Sequence, residues 1–382
     1  MKHHEQTIDW LKALAISLIV LGHVGLLAPF NEFTYPIYPK QIGVALFMFV
    51  LGWNLARDCR GSWQIFFQRM FPMYFFGLLC VLAAGIPVFL FTGNVQLSNL
   101  LPFLLGAHVF FDFYPANPAL WFVGTYFHAV LFWFILAATL RVRPWHMLLF
   151  LGLEVLARAA VMDRGMDHVA YMMLFSWLTP FLMGALLHGK GDLSPAIGKV
   201  LVPCLVLGVF ALAWWFLFSH MALADRSFPF KKWPGGMEGF PQAAFLSLLV
   251  SVQYIFYPLV LFLIFQRLPC PGPVSFLARQ TLVIFLAHMP LIFVLAPLNL
   301  PGMESAWLKR TFMAFLCLPG LALVSEGATR MVRLPEMQRH AWATLQKLTN
   351  PSGASLGPPS PSSAKAPPER MNTSVRSVEK NP

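Results

Sequence analysis

Two side chains in the first apolar segment carry the residue types needed for acid–base chemistry beside an anion. In the stretch DWLKALAISLIVLGH, Lys12 and His23 stand eleven residues apart. At about 100° and about 1.5 Å of rise per residue, a helix puts them on nearly the same face, roughly 16 Å apart along its axis. Imidazole titrates near 6.5, so His23 is suited to taking a proton from a hydroxyl at physiological pH. Lys12 adds a fixed cation at the other end, with only apolar residues and Ser17 between them. A long, thin anionic thioester fits such a face, and a hydroxyl attacking it needs a base. The plainer alternative has Lys12 snorkelling to headgroups and His23 bonded to a backbone carbonyl.

Further ionisable groups interrupt other apolar runs, where each costs free energy and is therefore a candidate for function. Arg69 opens the third run, after Arg57 and Arg60, where positive-inside topology by itself accounts for basic residues. His288 precedes Met289 and Pro290; the proline frees a carbonyl that the imidazole can satisfy, so its expected role is structural. Glu154 and Arg158, four residues apart, can pair on one helix face and hold the bundle together. Two polar and aromatic loops are candidates for acceptor binding, 108–121 with Trp121 and 220–242 with His220 and Trp233. Flat rings beside polar groups suit sugars, although interfacial belts have the same composition.

The elements that position these groups must be transmembrane helices. Of the residues, 58% are hydrophobic and 11% charged, too few polar groups to cover a water-facing surface. Apolar runs at 8–27, 42–58, 70–92, 118–139, 146–162, 170–188, 199–219, 243–266, 274–297 and 308–332 are each long enough to span hydrocarbon. The expected fold is an all-α integral membrane bundle of about ten transmembrane helices. The stretch 97–111, short and holding Pro102, reads as re-entrant or interfacial. Lys and Arg crowd one set of connections, including Lys2, Arg57, Arg69, Arg141, Arg143 and Arg267, which places both termini in the cytoplasm. The net charge of +11 therefore reads as topology, not as a nucleic-acid footprint. The five cysteines have no metal-ligand spacing, and no metal is expected. A membrane domain over 1–335 is followed by a cytoplasmic tail, 336–382, whose Pro- and Ser-rich part from about 350 cannot bury a core.

Five segments resemble the membrane-bound acyltransferase-3 family: DWLKALAISLIVLGH, ALFMFVLGWNLAR, FFQRMFPMY, FLMGALLHG and TLVIFLAHMPLI. The resemblance covers residue 7 to about 335. His23 matches in type and position. Lys12 stands where the family carries an arginine, replacing a planar fork with a point charge. The resemblance implies an O-acyltransferase of the cell (inner) membrane, multi-pass, with no tightly bound cofactor. Its donor would be acyl-CoA, expected to be acetyl-CoA, held by Lys12 and Arg69. Its acceptor would be a hydroxyl of an exported or cell-surface polysaccharide or lipid-linked glycan, with His23 as general base. A multi-pass transporter or flippase, its path lined by Lys12, His23, Glu154, Arg158 and His288, is the competing expectation.

Overall fold

The protein is described by a computed structural model covering residues 2–28, 30, 37–58, 63–93, 99–111, 119–139, 143–188, 229–230, 238–298 and 305–349. Among these residues the chain forms helices and no strand. It divides at Leu334/Pro335 into a helical body and a separate C-terminal unit. The expected span 199–219 lies outside the described residues, as do His220, Trp233 and the tail from 350.

The body opens with α1 (Lys2–His23), α2 (Pro39–Asp58) and α3 (Trp63–Thr92). The stretch expected to be re-entrant contains only a short helix, α4 (Leu100–Leu104), and a 3-10 turn (Ala107–Phe110). Neither is long enough to span hydrocarbon. Next come α5 (Trp121–Thr139) and α6 (His146–Asp163). The run 170–188 is not one helix: α7 (Asp167–Met172) and a 3-10 turn (Leu174–Trp177) precede α8 (Leu178–His188). After α9 (Gly239–Phe265), the run 274–297 divides into α10 (Gly272–Arg279) and α11 (Thr281–Leu295), bent by 71° at Gln280. The last run comprises α12 (Ala306–Phe315), a π turn around Pro319 and α13 (Leu321–Val332). Such a turn accommodates the proline's missing N–H without ending the helix. The C-terminal unit carries α14 (Leu334–Thr349).

Three of these helical stretches, Trp63–Ala83, Gly239–Phe265 and Ala306–Val332, are long and apolar enough to cross a membrane, and the bent α10–α11 pair makes a fourth if it counts as one span. Leu82, Leu90, Leu148 and Leu323 are exposed on the outside of the bundle, as a lipid-facing surface requires.

Close helix contacts fix the frame around α1. A Cβ at Gly52 of α2 would overlap the Phe181 carbonyl of α8, and one at Gly184 of α8 would overlap the Phe49 carbonyl of α2. Only glycines allow the two backbones this approach. At the start of α1, the Trp10 ring stacks on Phe265 at 5.0 Å and its indole N–H donates to the Pro269 carbonyl. Ser275 of α10 donates to the Asp9 carboxylate at 2.8 Å. At its other end, Gly25 takes φ +79° and the Leu26 N–H bonds the Leu21 carbonyl, a Schellman closure that makes His23 the last helical residue.

Candidate functional site

Lys12 and His23 do project along one face of α1, but into two cavities instead of one. The first cavity, about 300 Å³, is lined by Lys12, Asn54, Gln68, Arg69, Tyr126 and Thr281 among its polar residues. Arg57 and Arg69 lie near enough to Lys12 to act on it electrostatically, as does Asp9. This end of the bundle is therefore a cationic cavity with amide and hydroxyl groups on its walls, a set suited to an anion. The Ser17 hydroxyl donates to the Ala13 carbonyl of its own helix at 2.8 Å, which satisfies it without a ligand.

The second cavity, about 400 Å³, holds His23 together with Lys40, His168, Tyr171, Trp121 and His288. Within the bundle His23 remains exposed, because its ring faces this space. Lys40 arrives from the first turn of α2, where its Cβ would be 3.3 Å from a Cβ at Gly22, so glycine beside the imidazole eases this close approach. Trp121 reaches the wall because Ala119 turns the chain into α5 at φ +63°, a left-handed conformation unfavourable for alanine and held by its surroundings. Tyr171 and Trp177 pack edge to face with Trp121 close by, and the buried Phe230 lies against Tyr171. Phe230, a described residue of the 220–242 loop, is thus next to this wall.

A partition of rings separates the two spaces. Phe285 of α11 lines both cavities. Phe122 packs on it at 4.9 Å and Phe47 at 5.8 Å, with Phe47 and Phe122 6.2 Å apart. The cation of α1 and its imidazole therefore serve separate spaces that meet at three phenyl rings.

His288, expected to be structural in the acyltransferase reading, combines that role with a place on the cavity. It is fully buried, and its Nδ1 bonds the Phe285 carbonyl at 2.7 Å and the Ile284 carbonyl at 3.2 Å. These are carbonyls of its own helix, one and two residues before the Leu286 carbonyl that Pro290 leaves without its usual donor. Its ring also stands 5.3 Å from that of His23, on the cavity. Sequence reasoning did not place Lys40, His168 and Tyr171 here; His168 and Tyr171 share a face of α7 at i, i+3, but no periodicity links them or Lys40 to His23, and only the fold gathers them.

Glu154 and Arg158 are fully buried and line neither cavity. The Arg158 guanidinium donates to Glu154 at 2.6 Å, to the Ser247 carbonyl at 2.8 Å, to the Ser251 hydroxyl at 2.9 Å and to the Ser176 carbonyl at 2.6 Å. Glu154 also accepts from the Thr179 N–H and hydroxyl, both at 2.8 Å, and from the Ser251 hydroxyl at 2.7 Å. The pair thus joins α6, α8 and α9.

Comparison with curated proteins and with solved structures finds no match. Comparison with protein families does: the acyltransferase-3 family, described as an acyltransferase domain, matches residues 5–326. That range contains both cavities, the ring partition and the buried ion pair. The chain belongs to the membrane-bound acyltransferase-3 family.

Proposed function

We propose that the protein is an O-acyltransferase that moves an acyl group, expected to be acetyl, from acyl-CoA to a sugar hydroxyl. The acceptor class is an exported or cell-surface polysaccharide or a lipid-linked glycan, and the setting is the cell (inner) membrane with both termini in the cytoplasm. The observation that carries this reading is the pair of adjoining cavities, one cationic and one holding His23, meeting at Phe285. Lys12 and Arg69 hold the anionic part of the donor. The thioester reaches the partition from that side, and the acceptor enters beside Trp121. His23 takes the proton of the attacking hydroxyl; the hydroxyl oxygen bonds the thioester carbon, the carbon–sulfur bond breaks, and the leaving thiolate becomes CoA by taking up the proton that His23 removed. General-base assistance of this kind contributes about 10²–10⁴-fold.

The test uses purified protein in liposomes, acetyl-CoA labelled in the acetyl group, and saccharide extracted from the cells that make the protein. An acyltransferase releases free CoA and leaves base-labile label on the saccharide. A transporter releases no CoA, and that result would overturn the proposal.

Lys12→Ala and Arg69→Ala act on the donor alone. Removing a charged hydrogen-bond partner costs about 1.5–3 kcal/mol, so each variant is expected to raise the KM for acetyl-CoA about tenfold to a hundredfold. The turnover number at saturating donor should change little. Equal loss of turnover with no change in KM would remove both residues from donor binding.

A further inference from the structure

The buried imidazole behind His23 has one nitrogen accounted for and one not. Carbonyl oxygens only accept, so the His288 Nδ1 that meets Phe285 and Ile284 must carry the hydrogen. Nε2 is then left with a lone pair, and this buried atom has no hydrogen-bond partner among the described residues. Within the protein interior such an acceptor is costly unless a donor comes to it.

A donor stands next to it. Two imidazoles joined by an N–H···N bond of about 2.9 Å have ring centres about 5 Å apart, and the centres of His23 and His288 are 5.3 Å apart. The rings are tilted by 49°, and the alignment requires a rotation of the His23 side chain that turns its single N–H toward the His288 Nε2. His23 has room to make that rotation because it is exposed to the cavity, whereas His288 is fixed at its Nδ1 and fully buried. Catalytic hydrogen bonds are often poorly aligned before substrate binds and tighten with it.

We infer that His288 is the positioning residue of His23: its Nε2 accepts an N–H from His23 and thereby fixes which His23 nitrogen keeps the lone pair for the acceptor hydroxyl. The chain of bonds runs from the Phe285 and Ile284 carbonyls through His288 to His23 and on to the substrate. This places two imidazoles where base-and-orienter pairs elsewhere use an imidazole and a carboxylate. It suits a site in which an added buried carboxylate would be costly. Phe285 gains a double part, its ring in the partition and its carbonyl in the chain. The inference rests on the acyl-transfer reading.

Two amide substitutions separate positioning from support. Asparagine at 288 can donate to the helix carbonyls as Nδ1 does but offers nothing at the Nε2 position. Glutamine offers a carbonyl oxygen at about the Nε2 position. With wild-type transfer established first in the acetyl-CoA assay, His288→Asn is expected to lower kcat about a hundredfold with the KM for acetyl-CoA unchanged, and His288→Gln to recover most of that loss. Wild-type activity in His288→Asn, or recovery by asparagine and not by glutamine, would overturn the inference and leave the acyltransferase reading standing. Absence of transfer by the wild type would instead remove that reading. If the variants fail to accumulate, solid-state NMR of substrate-loaded wild-type protein with 15N-labelled histidine decides. A 15N–15N coupling between His23 and His288 supports the bond, and two uncoupled rings overturn it.

Discussion

His23→Ala is expected to abolish all but about 10⁻² to 10⁻⁴ of acyl transfer while leaving the protein at its normal abundance in the membrane. The loss follows from the chemistry: a sugar hydroxyl is a weak nucleophile until its proton is taken, and His23 is an imidazole exposed to the second cavity, which Lys40 also lines. The fold should not suffer. His23 is the last residue of α1, and the helix is closed by the Gly25 turn and the Leu26-to-Leu21 bond, which an alanine leaves in place. Donor binding should also survive, because Lys12 and Arg69 lie on the other side of the ring partition. Mass spectrometry of the cell's glycans reads the result. Unchanged acylation at equal protein abundance would take the base role from His23.

Glu154→Ala should act in the opposite way, on the protein and not on the chemistry. It leaves the Arg158 guanidinium buried without its carboxylate, and it strands the Thr179 N–H and hydroxyl and the Ser251 hydroxyl that Glu154 accepts from. Breaking a buried pair from one side costs about 3–5 kcal/mol, enough to lower a melting midpoint by about 10 °C. The measurement is thermal unfolding in detergent together with abundance in the membrane. The double change Glu154→Leu with Arg158→Met should recover much of the loss, since it removes both charges instead of orphaning one. A single variant as stable as the wild type would mean that water reaches the pair. The surviving Glu154→Ala protein should keep its KM for acetyl-CoA, because neither residue lines a cavity.

The parts of the site visible in sequence were those governed by helical repeat. Lys12 with His23, and Glu154 with Arg158, are spacings along a single helix, and the structure places each pair as that spacing requires. The polar and aromatic composition of the loop 108–121 points to Trp121, and the structure puts it on the wall of the second cavity. What the repeat could not show was how neighbouring helices divide the space. Phe47, Phe122 and Phe285 come from α2, α5 and α11, and their meeting turns an expected single space along α1 into two. Lys40 counted in the sequence as one more loop cation, and only the contact at Gly22 shows it beside His23. The break at Met173 was hidden because apolar composition continues through it, whereas the 71° bend at Gln280 falls where Arg279, Gln280 and Thr281 interrupt the apolar run.

The three phenyl rings also set an electrical property of the protein. Open vestibules on either side would let the aqueous conductors approach to within the thickness of the rings, so the transmembrane voltage would fall steeply there. A full charge crossing that drop is worth about 2.3 kcal/mol per 100 mV. In the proposed reaction the CoA phosphates stay on one face and the saccharide on the other; the acyl group passes one way, and the hydroxyl proton taken by His23 must pass the other way to the thiolate, so that no net charge crosses. The insulating layer is then crossed without current, and turnover is decoupled from the membrane's energisation.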